Sequence, residues 1–528
     1  MRQNVVVSTA DWVVVALYLG VTVYFAVRSR VGQKTSADYF LAGRSTAGWI
    51  VAISLFATLF STVSFVCVPG EVFKNGILLW LLQPGPLLFL PLGLYLFTRF
   101  FYFARVFSVY EYLESRFFRP LRLYGSFTFV VGQTIYAGSV FFSAAKIFET
   151  LMGWSPLFTI CAVGLFTVIY TTAGGMKAVL LTDVFQGIIA MLGIFIIMFV
   201  LLAKAGFDLF GIIRYAGAHG HGLKAVTESN FYKFDLHDRF SFWILILQAA
   251  IGGLSTMCTN QTAVQRLLSA KDYKSAKTGI YGHMALVIIM SIPLYGIGLG
   301  LYYFYGPGGG VLPQGIEGDQ VLGYFVNSML PAPLPGLIIA ALMAALMSTV
   351  SSVVNSQANL IHRDFLVPFR QIKEHTNDVL ICKIISGICG ALGILFAIFL
   401  YQIDKGTETT VLEIIMVVGS FAGGPMLYAF LFGVLSKRIS GKAMLTSLII
   451  GGLINIPMPF LLYFNVPADQ RISFMWVPFP GTIATIVLAF VLSIWWPNKK
   501  DLTNLTLWTL TTKTRELMSH GTVEVEQS

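Results

Sequence analysis

The chain reads as a succession of long, nearly uninterrupted apolar runs separated by short polar segments rich in Lys and Arg. The runs lie at roughly 10–28, 47–70, 77–98, 122–147, 155–173, 178–204, 240–265, 274–305, 333–361, 379–402, 411–436, 442–465 and 477–496. About 20 apolar residues in a helix cross a hydrocarbon core about 30 Å thick. Barrel strands would instead alternate apolar and polar residues over about ten positions. The pattern predicts an all-α polytopic membrane protein with about 13 transmembrane helices. Two connecting segments, 205–239 and 306–332, are long and polar. The second contains GPGGGVLPQG and is predicted as irregular loop. Residues 497–528 are polar and predicted as a peripheral tail.

Composition removes the alternatives. Hydrophobic residues make up 56% of the chain and charged residues 11%, against about 25% charged in soluble domains. A soluble enzyme, a disordered chain and a nucleic-acid-binding domain are excluded. The net charge of +10 changes meaning once its carriers are placed. With the N-terminus outside, Arg28, Arg44, Arg116, Arg119, Arg122, Lys271, Lys437 and Lys499 all fall in inside segments, and few basic residues fall outside. That is the inside-positive bias of a multi-pass membrane protein. It predicts an extracellular N-terminus (1–9), a transporter domain (10–496), a cytoplasmic tail (497–528) and residence in the plasma or inner membrane. The N-terminus shows no signal-peptide pattern. Cys67, Cys161, Cys258, Cys382 and Cys389 lie in apolar stretches without a CxxC pair and read as small buried thiols.

Polar groups inside the spans are costly and therefore informative. The second span carries Ser54, Thr58, Ser61, Thr62 and Ser64 before VPG (68–70). Two readings fit: a helix that unwinds at its middle around a site, or hydroxyls that bond back to their own helix. The ninth span carries Ser348, Thr349, Ser351, Ser352, Asn355 and Ser356. Ser348 and Thr349 share the helix face of Ala345, and their oxygens suit an alkali cation as well as they suit close helix packing. Asp183 sits about 8 Å into the sixth span, either as a functional carboxylate or as a partner for Lys177 at the interface. Asn260 and Gln261 end the seventh span and offer hydrogen bonds to a polar solute. Arg266 beyond them reads as a snorkelling anchor, and Gln83 is a further buried amide.

These residues sit within SADYFLAGR (36–44), SLFATLFSTVSF (54–65), GGMKAVLLTDVFQG (174–187), TNQTAVQR (259–266), MSTVSSVVNS (347–356) and GGPMLYAFLFGVLSKR (423–438). With these motifs the chain resembles the sodium:solute symporter family, which includes sodium-coupled sugar, monocarboxylate, proline and sialic acid carriers. The resemblance runs from about residue 10 to 496. It implies a LeuT-type fold of two inverted five-helix repeats, about 47–204 and 240–436, with the second and seventh spans broken and solute bound at the breaks. It implies a main sodium site from the carbonyls of Ala57, Phe60 and Ala345 and the hydroxyls of Ser348 and Thr349. Some members hold a second sodium ion, and the matching positions are Asp183, Ser348, Ser351 and Ser352. For the solute, the resemblance points to Ser61, Ser64, Gln83, Tyr136 and Asn260, beside Gln261. Tyr136 stands where sialic acid carriers have an arginine, and Leu59 where proline carriers have an aspartate.

The expected function is therefore sodium-coupled symport of a small polar solute, a sugar, polyol or small monocarboxylate, by alternating access. The expected partners are Na+, the solute and membrane lipid, with no nucleic acid. A channel or sensor of the same fold is the alternative. No His, Cys or paired-carboxylate cluster at membrane depth supports an enzyme.

Overall fold

The computed structural model describes residues 7–28, 36–98, 100–101, 106, 108–316, 318–370, 378–403, 424–467, 470–512 and 514. Residues 1–6 of the predicted N-terminal segment, the first part of the predicted 411–436 span and residues 515–528 of the tail lie outside them. The described chain is almost entirely helical.

In chain order the principal helices are α1 (Thr9–Arg28), α2 (Gly48–Leu59), α3 (Val63–Asn75), α4 (Ile77–Thr98) and α5 (Val109–Arg116). They continue with α6 (Arg119–Met152), α7 (Pro156–Thr172), α8 (Gly175–Lys204), α9 (Phe242–Cys258), α10 (Gln261–Leu268) and α11 (Tyr273–Phe304). The last are α12 (Leu334–Leu366), α13 (Val379–Ile403), α14 (Met426–Leu435), α15 (Gly441–Phe464) and α16 (Phe474–Trp495). Among the described residues, 9 helices are long and apolar enough to cross a membrane, or up to 11 with each bent pair counted as one. The predicted 155–173 span appears as the shorter α7, and of 411–436 the helix α14 is seen.

Local chemistry explains where helices start and stop. Ser155 caps α7, accepting from Phe158 N–H at 3.3 Å with Pro156 at the first helical position. Asp272 caps α11 through Ser275 N–H at 2.6 Å. Gly175 adopts φ 59° between α7 and α8, a left-handed geometry that glycine enters without a Cβ clash.

Two breaks organise the molecule. Helices α2 and α3 meet at 65°, and α9 and α10 at 49°. The linking residues Phe60 (φ −92°, ψ 92°) and Asn260 (φ −82°, ψ 90°) have nearly the same extended backbone. The two breaks are thus locally equivalent, as a repeated architecture requires. Helix α12 runs through the centre and is buried almost throughout, packed against α8, α6, α1 and α13. Helix α11 lies against α2, close enough that a Cβ on Gly279 would come within 2.5 Å of Val51.

Three expectations need correction. Segment 306–332 is not wholly irregular: Gly318–Met329 is helical, because Val321, Leu322, Phe325 and Val326 make a buried stripe at helical spacing. Residues 502–508 of the tail are held against the body. Tyr112 donates to Leu505 O at 2.9 Å, Leu507 N–H to Val434 O at 3.1 Å and Trp508 Nε1 to Leu435 O at 2.7 Å. Cys161 is exposed on α7 rather than buried, although the other four cysteines are buried.

Candidate functional site

The break in the second span lies beside α12. Because α2 ends at Leu59, the carbonyls of its last turn, Ala57 among them, have no helical N–H partners. Thr349 Oγ1 on α12 donates to Thr58 O at 3.0 Å, which fixes the hydroxyl-bearing face of α12 against that turn. Ala57, Phe60, Ala345, Ser348 and Thr349 are all buried. The five residues expected to hold the main ion are drawn from these two facing helices.

Directly beside them lies a closed polar knot. Asp183 on α8 is fully buried. Its Oδ1 accepts from Ser348 Oγ at 2.8 Å, and its Oδ2 from Ser54 Oγ at 2.5 Å and Thr58 Oγ1 at 3.3 Å. Its counter-charge is Arg266, 2.9 Å away and 1% exposed. The same guanidinium donates from Nε to Ser54 Oγ at 2.8 Å, to Thr262 O at 2.8 Å, and to Ser352 Oγ. Lys177 is exposed. Arg266 is therefore not a snorkelling anchor, and Lys177 is not the partner of Asp183. The break at Asn260 turns α10 into the protein, and all 8 of its residues are buried.

Three of the four residues expected at a second ion, Asp183, Ser348 and Ser352, meet in this knot. The fourth, Ser351, donates to Ser348 O at 3.0 Å. The polar seam continues along α12, where Thr262 and Ser356 hydroxyls lie 2.7 Å apart and Gln265 donates to Asn355 Oδ1 at 3.0 Å. Four elements, α2, α8, α10 and α12, are thereby joined through side chains alone.

The expected solute residues are not gathered in one place. A cavity of about 390 Å³ is lined by Thr58, Leu59, Gln133, Tyr136, Asn260 and Met426, among others. A second, of about 100 Å³, is lined by Phe60, Ser64, Gln83, His283, Ser291 and Tyr295 together with apolar side chains. Leu59 lines both and stands between the two groups. Ser61 is buried. Gln261 is turned elsewhere: its Oε1 accepts from Val109 N–H at 3.0 Å, tying α10 to α5. Arg266 is the residue that reading the sequence misplaced, taking it for an anchor at the interface. A carboxylate deep in a span demands a counter-charge, and that demand was the signal for Arg266.

Both ends of the helical body carry further ion pairs. At one end Arg239 donates to Glu71 Oε1 at 2.7 and 3.1 Å, linking the end of α3 to the start of α9. At the other, Arg122 bonds Asp364 at 2.6 Å and Glu114 at 2.7 Å, linking α6 to α12 and α5. Among the described residues no group of three or more His, Cys, Asp or Glu is arranged to hold a metal.

Known proteins are similar to this chain in sequence and in fold. The sequence profile of the Sodium:solute symporter family matches residues 39–451. A putative sodium-dependent multivitamin transporter of Drosophila melanogaster is 29% identical over 88% of this chain and 76% of its own length. Sodium-coupled monocarboxylate transporter 1 of Mus musculus is 30% identical over 87% of this chain and 75% of its own. The fold matches that of a substrate-bound, outward-open Na+-coupled sialic acid symporter, with a TM-score of 0.83 at 23% identity, covering 94% of this chain and all of the other. With two equivalent helix breaks, a hydroxyl-lined central helix and a profile match over most of its length, the chain belongs to the sodium:solute symporter family and is a sodium-coupled transporter, not an enzyme.

Proposed function

We propose that the protein imports a small polar organic solute, a sugar, polyol or small monocarboxylate, with one sodium ion at Ala57, Phe60, Ala345, Ser348 and Thr349. The observation that carries this reading is the contact of Thr349 with the C-terminal turn of α2. It brings hydroxyl and carbonyl oxygens of two separate helices together, the donor set a hard cation favours. Sodium binding there would hold the broken span against α12. Each charge moved inward at 100 mV contributes about 2.3 kcal/mol to solute accumulation. Solute and sodium affinities then rise together, since coupling is reciprocal.

A second sodium ion would sit at Asp183, Ser348, Ser351 and Ser352. Its carboxylate already faces Arg266, so the ion joins a site that is neutral before it arrives. The proposed orientation is N-terminus outside and C-terminus inside, in the plasma or inner membrane. The larger cavity, with Tyr136 and Asn260 in its wall, then lies on the inner side of the α2 break. The Glu71–Arg239 pair links α3 to the start of α9 on the outer side. A sialic acid fits poorly, because Tyr136 offers no bidentate cation for its carboxylate.

The test is uptake into proteoliposomes under an imposed sodium gradient. Thr349→Ala is expected to weaken sodium activation and to raise the solute concentration needed. If the variant keeps the wild-type sodium dependence, the ion-site assignment is wrong. Asp183→Asn is expected to lower the sodium Hill coefficient from near two toward one; an unchanged coefficient would remove the second ion.

A further inference from the structure

The structure assigns a binding site for an anionic phospholipid headgroup to the patch where the chain leaves α16 and crosses the ends of α14 and α15. Its cations are Lys437, Arg438, Lys442 and Lys499, and its apolar neighbour in the bilayer is Trp508. The patch shares no residue with the ion site or with either cavity, and the inference goes beyond the proposed function.

The patch is assembled by the fold of the tail. Past Trp495 the chain turns back over the end of the helical body. Pro497 pairs with Ile439 in an antiparallel bridge, and Asn498 Nδ2 donates to Lys437 O at 3.3 Å. Further on, Leu507 N–H donates to Val434 O at 3.1 Å and Trp508 Nε1 to Leu435 O at 2.7 Å. Lys499 and Trp508 are thereby brought to the turn that joins α14 to α15, which carries Lys437 and Arg438. Lys442 follows in the first turn of α15. Segments far apart in sequence thus form one cluster of exposed cations.

These charges are uncompensated. Among the described residues none of Lys437, Arg438, Lys442 and Lys499 has an ion-pair partner. Two carboxylates stand on neighbouring segments, and both are engaged. Glu114 bonds Arg122 at 2.7 Å, and Asp501 accepts from Thr503 N–H at 3.1 Å and from its hydroxyl at 2.9 Å. Lys500 differs from its neighbours in being committed to the fold: its Nζ donates to Glu114 O at 3.1 Å and to Phe117 O at 3.3 Å. Clustered like charges repel one another, and an anion among them relieves the repulsion.

Tryptophan decides which anion. Trp495, Trp496 and Trp508 are all exposed, Trp508 to 61%. The one polar atom of the Trp508 ring is turned inward to Leu435 O, so what it displays is apolar. Water opposes that display, whereas the boundary between acyl chains and headgroups suits it. The patch lies at such a boundary, because α14 and α16 end there and α15 begins there. An anionic lipid matches both features: its headgroup meets the cations, and its chains run beside the indoles. A dissolved phosphate would use the cations and leave the exposed tryptophans unexplained. The basic segment 271–277 shows the contrast. Lys271, Lys274 and Lys277 are exposed too, but Asp272 stands among them and the segment contains no Trp.

Native mass spectrometry of the full-length protein in detergent, titrated with phosphatidylglycerol or phosphatidylcholine, reads the affinity of each lipid adduct. Phosphatidylglycerol should bind the more tightly. Each Lys or Arg at an anionic lipid surface is worth about 5-fold. Lys437→Gln, Arg438→Gln and Lys499→Gln together should therefore weaken phosphatidylglycerol binding by about 100-fold and leave phosphatidylcholine unchanged. Lys271→Gln, Lys274→Gln and Lys277→Gln together remove the same charge elsewhere and should leave both lipids unchanged. Trp508→Ala should weaken both. Cooperative melting at the wild-type temperature shows that each variant is folded. Inorganic phosphate at millimolar concentration should not displace the lipid. Equal binding of the two lipids, an equal loss in the two triple variants, or full retention of phosphatidylglycerol by the first of them overturns the inference. Displacement by inorganic phosphate, or unchanged lipid binding in Trp508→Ala, overturns it too.

Discussion

The knot around Asp183 and the cavity around His283 both border α2. They differ in what their polar atoms do. In the knot, Asp183, Arg266, Ser54, Thr58, Ser348 and Ser352 bond one another, so the charges are neutralised and their donors engaged. Beside the cavity, His283 Nδ1 is buried without a hydrogen-bond partner. Burying a charge pair is tolerable only when its geometry and its additional hydrogen bonds are good, and the knot meets that condition while joining four helices. Beside the cavity, by contrast, a buried nitrogen goes without a hydrogen bond, at a cost to folding stability.

The largest test of this contrast is Arg266→Ala. Removing one partner of a buried pair leaves Asp183 charged and uncompensated, at a cost of about 3–5 kcal/mol. The denaturation midpoint in detergent without sodium should fall accordingly, or the protein should fail to accumulate. Replacing both partners, with Arg266→Met and Asp183→Leu together, should recover most of that stability, because an apolar pair of similar volume needs no desolvation. If Arg266→Ala is nearly neutral, the knot does not hold the helices and the contrast fails.

A smaller effect is expected at the border between the regions. Thr349→Ala removes one hydroxyl-to-carbonyl bond, worth about 1 kcal/mol. It should also remove the stabilisation sodium confers, which at a concentration 100-fold above Kd amounts to about 2.7 kcal/mol. Melting with and without sodium separates the two contributions. A variant that sodium stabilises as strongly as the wild type would take the ion away from Thr349.

How much of this was legible in the sequence follows from the same chemistry. The hydroxyl-rich second span left a break open as one of two readings, the resemblance to the family supplied the break in the seventh span, and an isolated carboxylate in a span singled out Asp183. Arg266 was misread because it follows a polar stretch at the end of an apolar run, where a straight helix would deliver it to the interface. The 49° bend at Asn260 redirects it into the core, and a bend angle leaves no mark on composition. The separation of Tyr136 and Asn260 from Ser64 and Gln83 was equally invisible. It depends on where one leucine, Leu59, sits between two cavities. Gln261 was assigned to solute as an amide near a break, and only its pairing with Val109 shows that it serves the backbone of α5.

Within the cavity the effects on folding should be smaller still. Gln83→Leu deprives Tyr295 Oη of its donor and should cost about 1 kcal/mol. His283→Leu should cost nothing, and the reason sets it apart from every other substitution here. The imidazole forfeits hydrogen bonding at Nδ1 on folding, a penalty that leucine does not carry, and the adjoining cavity leaves room for the new side chain. The melting temperature of His283→Leu should therefore equal or exceed that of the wild type. If His283→Leu instead unfolds the protein as severely as Arg266→Ala, His283 belongs to the core, and the two regions differ only in degree.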